Sequence, residues 1–294
     1  MLAIDSFLAV IHRSVAAALV AAAASFSMAS GIAAADGGAA GLRSAYDARR
    51  ADLANSKFGK PLHLASRQSP SKLEGEILAI VDQPFSRAQA ALSDPKNWCD
   101  ILILHPNVKG CQRNGATLAL SLGRAELPAE FAYAARKETD YLDVRLTSPE
   151  GPMGTTDYLI RLEAAPLDDK QTLLRLNYSH AYGMQAKLAM QAYFGTLGRG
   201  KVGFTVVDKD AQGKPVYVGD LRGGLERNAM RYYASIDAFL NALSAPPAQQ
   251  LERRLRHWYA YTERFPLQLQ EEQGYLDAKR REATAVAKSV QASG

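Results

Sequence analysis

The feature that most constrains this chain is a change of period. From Thr117 to Tyr182 apolar residues recur at alternate positions, and from Leu225 to Leu243 they recur at helical spacing. Leu118, Leu120 and Leu122 alternate with small or polar residues, and Leu142, Val144 and Leu146 with Tyr141, Asp143 and Arg145. After a turn at Ser148-Pro149-Glu150-Gly151-Pro152, Tyr158, Ile160 and Leu162 alternate with Leu159, Arg161 and Glu163. A second turn, Pro166 to Asp169, leads to Leu174, Leu176, Tyr178, His180 and Tyr182. Side chains of a strand point alternately to its two faces, so the pattern predicts an antiparallel meander, buried on one face and solvated on the other. Leu225, Ala229, Tyr232 or Tyr233, Ile236, Phe239 or Leu240, and Leu243 then form the apolar stripe of a long helix. Strands followed by such a helix predict an α+β fold rather than a parallel doubly wound sheet.

The flanks are less regular. Residues 36–72 are rich in Ala, Gly and Ser and then polar, and they predict a flexible start with one short helix near Tyr46 to Ala54. Glu74 to Val81 reads as a strand, followed by a helix with Asp82 as N-cap and Pro84 in its first turn, ending at Asp94-Pro95. Met184 to Phe194 reads as a short helix. Val202, Phe204 and Val206 read as a strand that returns over Val216 to Leu221, and Gly223-Gly224 as a sheet breaker. Pro246-Pro247 is a linker. Residues 248–290 form a helical tail of mixed charge with aromatic Trp258, Tyr259, Tyr261 and Phe265. That mixture predicts a tail that docks back on the domain; contact with an anionic membrane is the other reading.

Residues 1–35 read as a secretory signal. Arg13 precedes the Ala/Leu/Val run Val15 to Ala24, which is too short for the ~20 residues a membrane-spanning helix needs. Ala33-Ala34-Ala35 before Asp36 fits a small-x-small cleavage site, so a periplasmic or secreted protein cut after Ala35 is expected. Export bears on the two cysteines. Cys99 and Cys111 are an isolated pair outside any CxxC motif, and in an oxidising compartment they predict a disulfide worth roughly 3 kcal/mol in the chain-entropy picture. The net charge of +5 is unchanged by cleavage, because Arg13 and Asp5 leave together. So mild a charge is far from a nucleic-acid footprint.

Val81-Asp82-Gln83-Pro84-Phe85, Ala91-Leu92-Ser93-Asp94-Pro95 and Asn97-Trp98, with the closing run Glu226 to Tyr233, resemble the START-like (SRPBCC) superfamily. The resemblance covers about residues 73–243. It implies a helix-grip fold: a curved antiparallel sheet around the long helix, in a domain spanning 73–245, with 246–294 as a helical extension. It also implies a cavity for lipid or another apolar small molecule.

His180 shares the inward face with Leu174, Leu176, Tyr178 and Tyr182, where a polar tip suits a ligand head group or simply a satisfied core histidine. Arg222, Glu226, Arg227 and Arg231 form the densest charged cluster, either an anion site at the cavity mouth or a solvated helix face. The expected ligand-binding set is Tyr158, Leu176, Tyr178, His180, Tyr182, Phe204, Arg222, Met230 and Tyr233. No catalytic residue, metal site or cofactor is assigned. There is no Gly-x-Ser-x-Gly elbow and no His-Glu-x-x-His, and Gly195 to Lys201 lacks the Ser/Thr and helix of a phosphate loop. The expected function is an exported hydrophobic-ligand carrier with transient membrane contact. An enzyme of the same fold, using His180 and tyrosines, and an envelope scaffold using the C-terminal helices stay open, as does the oligomeric state.

Overall fold

In a computed structural model, residues 38–196, 198, 200–265 and 272–292 are described, without side chains at 153 and 289–292; the leader and Pro266 lie outside them. Ten strands and seven α-helices follow in the order α1 (Ala39–Ala54), β1 (Leu62–Gln68), β2 (Lys72–Val81), α2 (Phe85–Leu92), α3 (Lys96–Leu102), β3 (Val108–Asn114), β4 (Thr117–Leu122), β5 (Leu127–Lys137), β6 (Leu142–Glu150), β7 (Thr155–Pro166), β8 (Thr172–Tyr182), α4 (Met184–Gly195), β9 (Val206–Lys209), β10 (Pro215–Tyr217), α5 (Asp220–Ala242), α6 (Pro247–Thr262) and α7 (Glu272–Ala292). A 3₁₀ turn, Pro152–Gly154, joins β6 to β7.

Eight strands make one antiparallel sheet in the order β1-β2-β8-β7-β6-β5-β4-β3. The meander is uninterrupted from β3 to β8, and β8 then pairs with β2 from before α2. The register places one apolar row across the concave face: Ile77 opposite Leu176, Leu176 opposite Leu162, and Leu162 opposite Val144. Helix α5 lies against β1, β2 and β8, buried along most of its length. The architecture is α+β helix-grip, as the resemblance implies.

Several expectations change. Strand β1 is an edge strand inside the segment read as flexible, and α1 begins at Ala39 rather than near Tyr46. The outer face of the sheet is not simply solvated. Leu42 and Leu53 of α1 cover Leu78, Ala165 and Leu173 there. Beside them Glu163, fully buried, takes a bidentate ion pair from Arg175 (2.7 and 2.8 Å) and a hydrogen bond from the Tyr141 hydroxyl (2.5 Å). A buried carboxylate is tolerable only when so satisfied. Asp82 does not cap α2; Pro84 stands at its N-cap, and the Asp82 carboxylate accepts from Gln171 Nε2.

Gly223 and Gly224 do not break a sheet. They lie in the first turns of α5, where glycine costs the helix up to about 1 kcal/mol each. Close approach explains them. A Cβ on Gly223 would stand 2.6 Å from the Val218 carbonyl oxygen, and one on Gly224 would stand 2.5 Å from the Phe194 ring.

The disulfide Cys99–Cys111 is present and ties α3 to β3. The C-terminal helices dock on the same core. Trp258 stacks on Tyr275 at 4.6 Å, and Lys279 Nζ donates to the carbonyls of His105 (2.8 Å) and Val108 (2.7 Å). No helix among the described residues is long and apolar enough to cross a membrane.

Two glycine replacements test the close approach of α5 to its neighbours. Gly274, in α7, has nothing within 4 Å of an added Cβ, so Gly274→Ala should stabilise by up to about 1 kcal/mol. Gly223→Ala should instead destabilise by about 1–3 kcal/mol through overpacking. Urea unfolding of both variants measures this, and a Gly223→Ala protein more stable than wild type would refute the contact.

Candidate functional site

Strand β8 aims Tyr178, His180 and Tyr182 at the concave face. On its neighbour β7 a β-bulge between Thr156 and Leu159 inserts residues opposite His180, with Asp157 at a φ of 51°. A bulge re-aims the side chain it carries. Here the Tyr158 ring stacks on His180 at 4.9 Å, nearly parallel. The Tyr158 hydroxyl is held by Thr155 Oγ1 at 2.8 Å. From His180 the ring contacts continue to Tyr178 at 5.8 Å, to Tyr232 of α5 at 5.2 Å, and to His105 stacked on Tyr232 at 4.5 Å. Phe131 meets Tyr158 edge-on at 6.2 Å. The interior of the grip thus holds a continuous track of rings, two of them imidazoles.

His180 is 6% exposed, and its Nδ1 is buried without a hydrogen-bond partner. Burial alone pulls its pKa down from 6.5 to about 4. His105 is also pushed well down, first by burial and then by Arg231, Lys279 and Lys109. Both imidazoles are therefore neutral at pH 7. Burial raises the phenol pKa of both Tyr158 and Tyr232, so the phenols stay protonated.

The expected ligand set divides into four places. Tyr158, Tyr178 and His180 converge in the ring track, with Leu176 on the same face. Met230 and Tyr233 face α6 instead: the Tyr261 hydroxyl meets Met230 Sδ at 3.8 Å, and the Tyr233 and Tyr261 rings meet at 6.0 Å. Phe204 packs between Phe58 (5.7 Å) and Phe265 (5.1 Å) and lies away from the track.

Tyr182 and Arg222 line an open cleft of about 510 Å³ at the N-terminal end of α5, together with Gln68, Ser69, Lys187 and Gly219. The Tyr182 hydroxyl donates to the Ser69 carbonyl (2.7 Å), and Arg222 Nε donates to Ser66 Oγ (2.7 Å). A second cleft, of about 640 Å³, lies on α6 beside His257. Neither sits between the sheet and the middle of α5, where the resemblance implies a cavity.

The charged cluster is not a solvated face. Glu226 is fully buried, accepting from Phe204 N (2.6 Å), Thr205 N (2.9 Å), Thr205 Oγ1 (2.6 Å) and Ser66 Oγ. Arg227 is buried, and burial together with the neighbouring Arg227 lowers Arg231 to about 10. His105 and Tyr232 were missed as members of the track. His105 follows α3 in a loop with no periodicity to reveal its direction. For Tyr232 the helical stripe left two adjacent candidates, and the turn of α5 decides between them.

No family model matches the chain, and no curated protein matches it. Solved structures similar to it include norcoclaurine synthase from Thalictrum flavum, 12% identical, covering 45% of this chain and 91% of that one with a TM-score of 0.34. The Zhui aromatase/cyclase from Streptomyces sp. R1128 is 15% identical, with coverages of 41% and 70% and a TM-score of 0.29. A START superfamily protein from Mycobacterium smegmatis is 18% identical, with coverages of 42% and 79% and a TM-score of 0.27. The sheet order around α5 is that of a helix-grip fold.

Acid should expose the buried imidazole. Because the folded pKa of His180 lies below the unfolded value, protons bind the unfolded chain preferentially as pH falls from 6.5 towards 4. His180→Phe keeps the stack and removes that proton. Between pH 7 and pH 4 it should lose roughly 3 kcal/mol less stability than wild type. Urea unfolding across that range measures the difference; parallel pH curves for the two proteins would count against a buried neutral His180.

Proposed function

We propose that this protein is an exported, periplasmic or secreted, binding protein for an apolar small molecule that carries one polar or anionic end. The observation that carries the reading is the unpartnered, buried Nδ1 of His180 within the ring track. An unpaired buried polar atom costs about 1–3 kcal/mol, which a ligand hydrogen bond at that nitrogen would offset. The apolar body would enter against Tyr158, Tyr178 and Leu176 by displacing side chains near the mouth. Two residues further along β8, Tyr182 leads outward to the cleft, where Lys187 and Arg222 stand ready for the polar end. An apolar interior with a few polar groups is the usual composition of a ligand site.

Export is supported by Arg13, the Val15–Ala24 run and Ala33-Ala34-Ala35, and by the Cys99–Cys111 disulfide, a bond that persists in oxidising compartments. Carriage is favoured over catalysis by the neutral His180, since a base with a pKa of about 4 is a weak proton acceptor at pH 7. The scaffold reading is less favoured, because Trp258, Tyr261 and Tyr275 pack into the core rather than lying free for a partner.

Protein purified from the expressing cells should yield an apolar compound on organic extraction, identified by mass spectrometry. After delipidation it should bind the fluorescent fatty acid cis-parinaric acid, about tenfold more weakly in His180→Ala and in Arg222→Met. Neither co-purifying compound nor binding of parinaric acid or a fluorescent sterol would refute the carrier reading. A variant that binds normally but loses turnover of the extracted compound would replace it with the enzyme.

A further inference from the structure

Among the described residues, six of the seven exposed large apolar side chains lie between Met184 and Val216. On α4, Met184 (73% exposed) and Leu188 (59%) stand four residues apart and so share a face. Ala192, four residues further on, continues that face and is exposed too. The opposite side of α4 is occupied: Phe194 lies over Gly224 of α5, and Ala186 is buried. The outward face is thus apolar by sequence and uncovered by the fold, and Lys187 is the one charged residue of α4.

The second element is the β9–β10 hairpin, which pairs with no other strand of the described structure. It exposes Val206, Val207 (54%) and Val216. The two elements border one opening. Lys187 of α4 lines the 510 Å³ cleft, as do Val218 and Gly219, which directly follow β10. An apolar rim around a cleft mouth marks an interaction surface rather than scattered surface hydrophobes.

Charge selects the occupant. Residues 184–217 carry five basic side chains, Lys187, Arg199, Lys201, Lys209 and Lys214, against Asp208 and Asp210. This short segment therefore holds more than half of the chain's net charge of +5. Exposed apolar residues in a segment of net positive charge fit an interface with apolar depth and a negative surface.

We propose that α4 and the β9–β10 hairpin form a docking surface for an anionic lipid bilayer. Met184, Leu188 and the hairpin valines enter the acyl boundary, and Lys187, Lys209 and Lys214 meet the head groups. The cleft lined by Lys187 and Arg222 then faces the membrane. The inference goes beyond the carrier reading, and its test needs no carried ligand.

Protein purified from its expressing cells is co-sedimented with vesicles of phosphatidylglycerol and phosphatidylcholine, and with phosphatidylcholine alone. Binding to the anionic vesicles is expected, weakening as salt is raised. The double variant Met184→Glu/Leu188→Glu should bind at least about tenfold more weakly with an unchanged melting temperature, and Val207→Glu should reproduce part of the loss. Failure of wild type to bind anionic vesicles, equal binding to both vesicle types, or variants that bind like wild type would overturn the proposal. A dimer in size-exclusion chromatography that dissociates in the double variant would overturn it in favour of a second copy of the chain. Parinaric acid binding by the same variants separates this outcome from the carrier reading: a variant that keeps ligand but loses vesicles supports docking, and a wild type that binds vesicles but no ligand refutes only the carrier.

Discussion

The open end of the grip depends on one buried carboxylate. Glu226 has no exposure, so it is stable in the folded state only while fully hydrogen-bonded. Its donors come from Ser66 on β1 and from Phe204 and Thr205 in the loop before β9. Lys57 Nζ closes the same knot by donating to the Phe204 carbonyl. One side chain of α5 therefore holds the edge of the sheet and the loop after α4 in place. Arg222, one turn earlier, is aligned by Ser66, which also serves Glu226. The cleft at the mouth exists because this clasp sets the distance between β1, α5 and the loop.

The inner end of the grip is held differently. Its rings meet at stacking or edge-on distances, and such contacts contribute about 0.5–1.5 kcal/mol each beyond burial. They tolerate exchange of one flat apolar body for another more readily than a hydrogen-bonded clasp does. The molecule thus combines a rigid, charged mouth with an interior whose main polar feature is an unpaired imidazole nitrogen. That division is the basis of the proposed ligand with two unlike ends. Helix α4 is anchored by Phe194 over a glycine and by the buried Ala186, while Met184, Leu188 and Ala192 are exposed.

The meander was legible from β6 to β8 because apolar residues there alternate with polar ones, although α1 covers part of the outer face. The outer pairing of Glu163 with Arg175 was not legible: alternation placed both on the outer face but could not say that α1 would cover it. Strands β1, β3 and β5 were missed for the same reason in reverse. Their burial is patchy, so the apolar period fades while backbone pairing persists. Gly223-Gly224 misled because glycine reports either a break or a close approach, and only the position of Val218 and Phe194 distinguishes them. Within the site, Tyr158, Tyr178 and His180 followed from strand parity. Met230 and Tyr233 were assigned to the ligand because they lie on the apolar face of α5, yet part of that face packs against α6.

By itself the sequence determined the fold class, the direction of the β8 side chains, the pairing of two isolated cysteines and the placing of a long helix after the meander. All of these rest on local period or on elimination. Only the tertiary structure decided which apolar residues face one another, which charges are buried, and where open volume remains. Those are properties of non-local contacts: a side chain's partner depends on how the sheet curves around α5, on the β7 bulge that turns Tyr158 onto His180, and on the helices that close over each face.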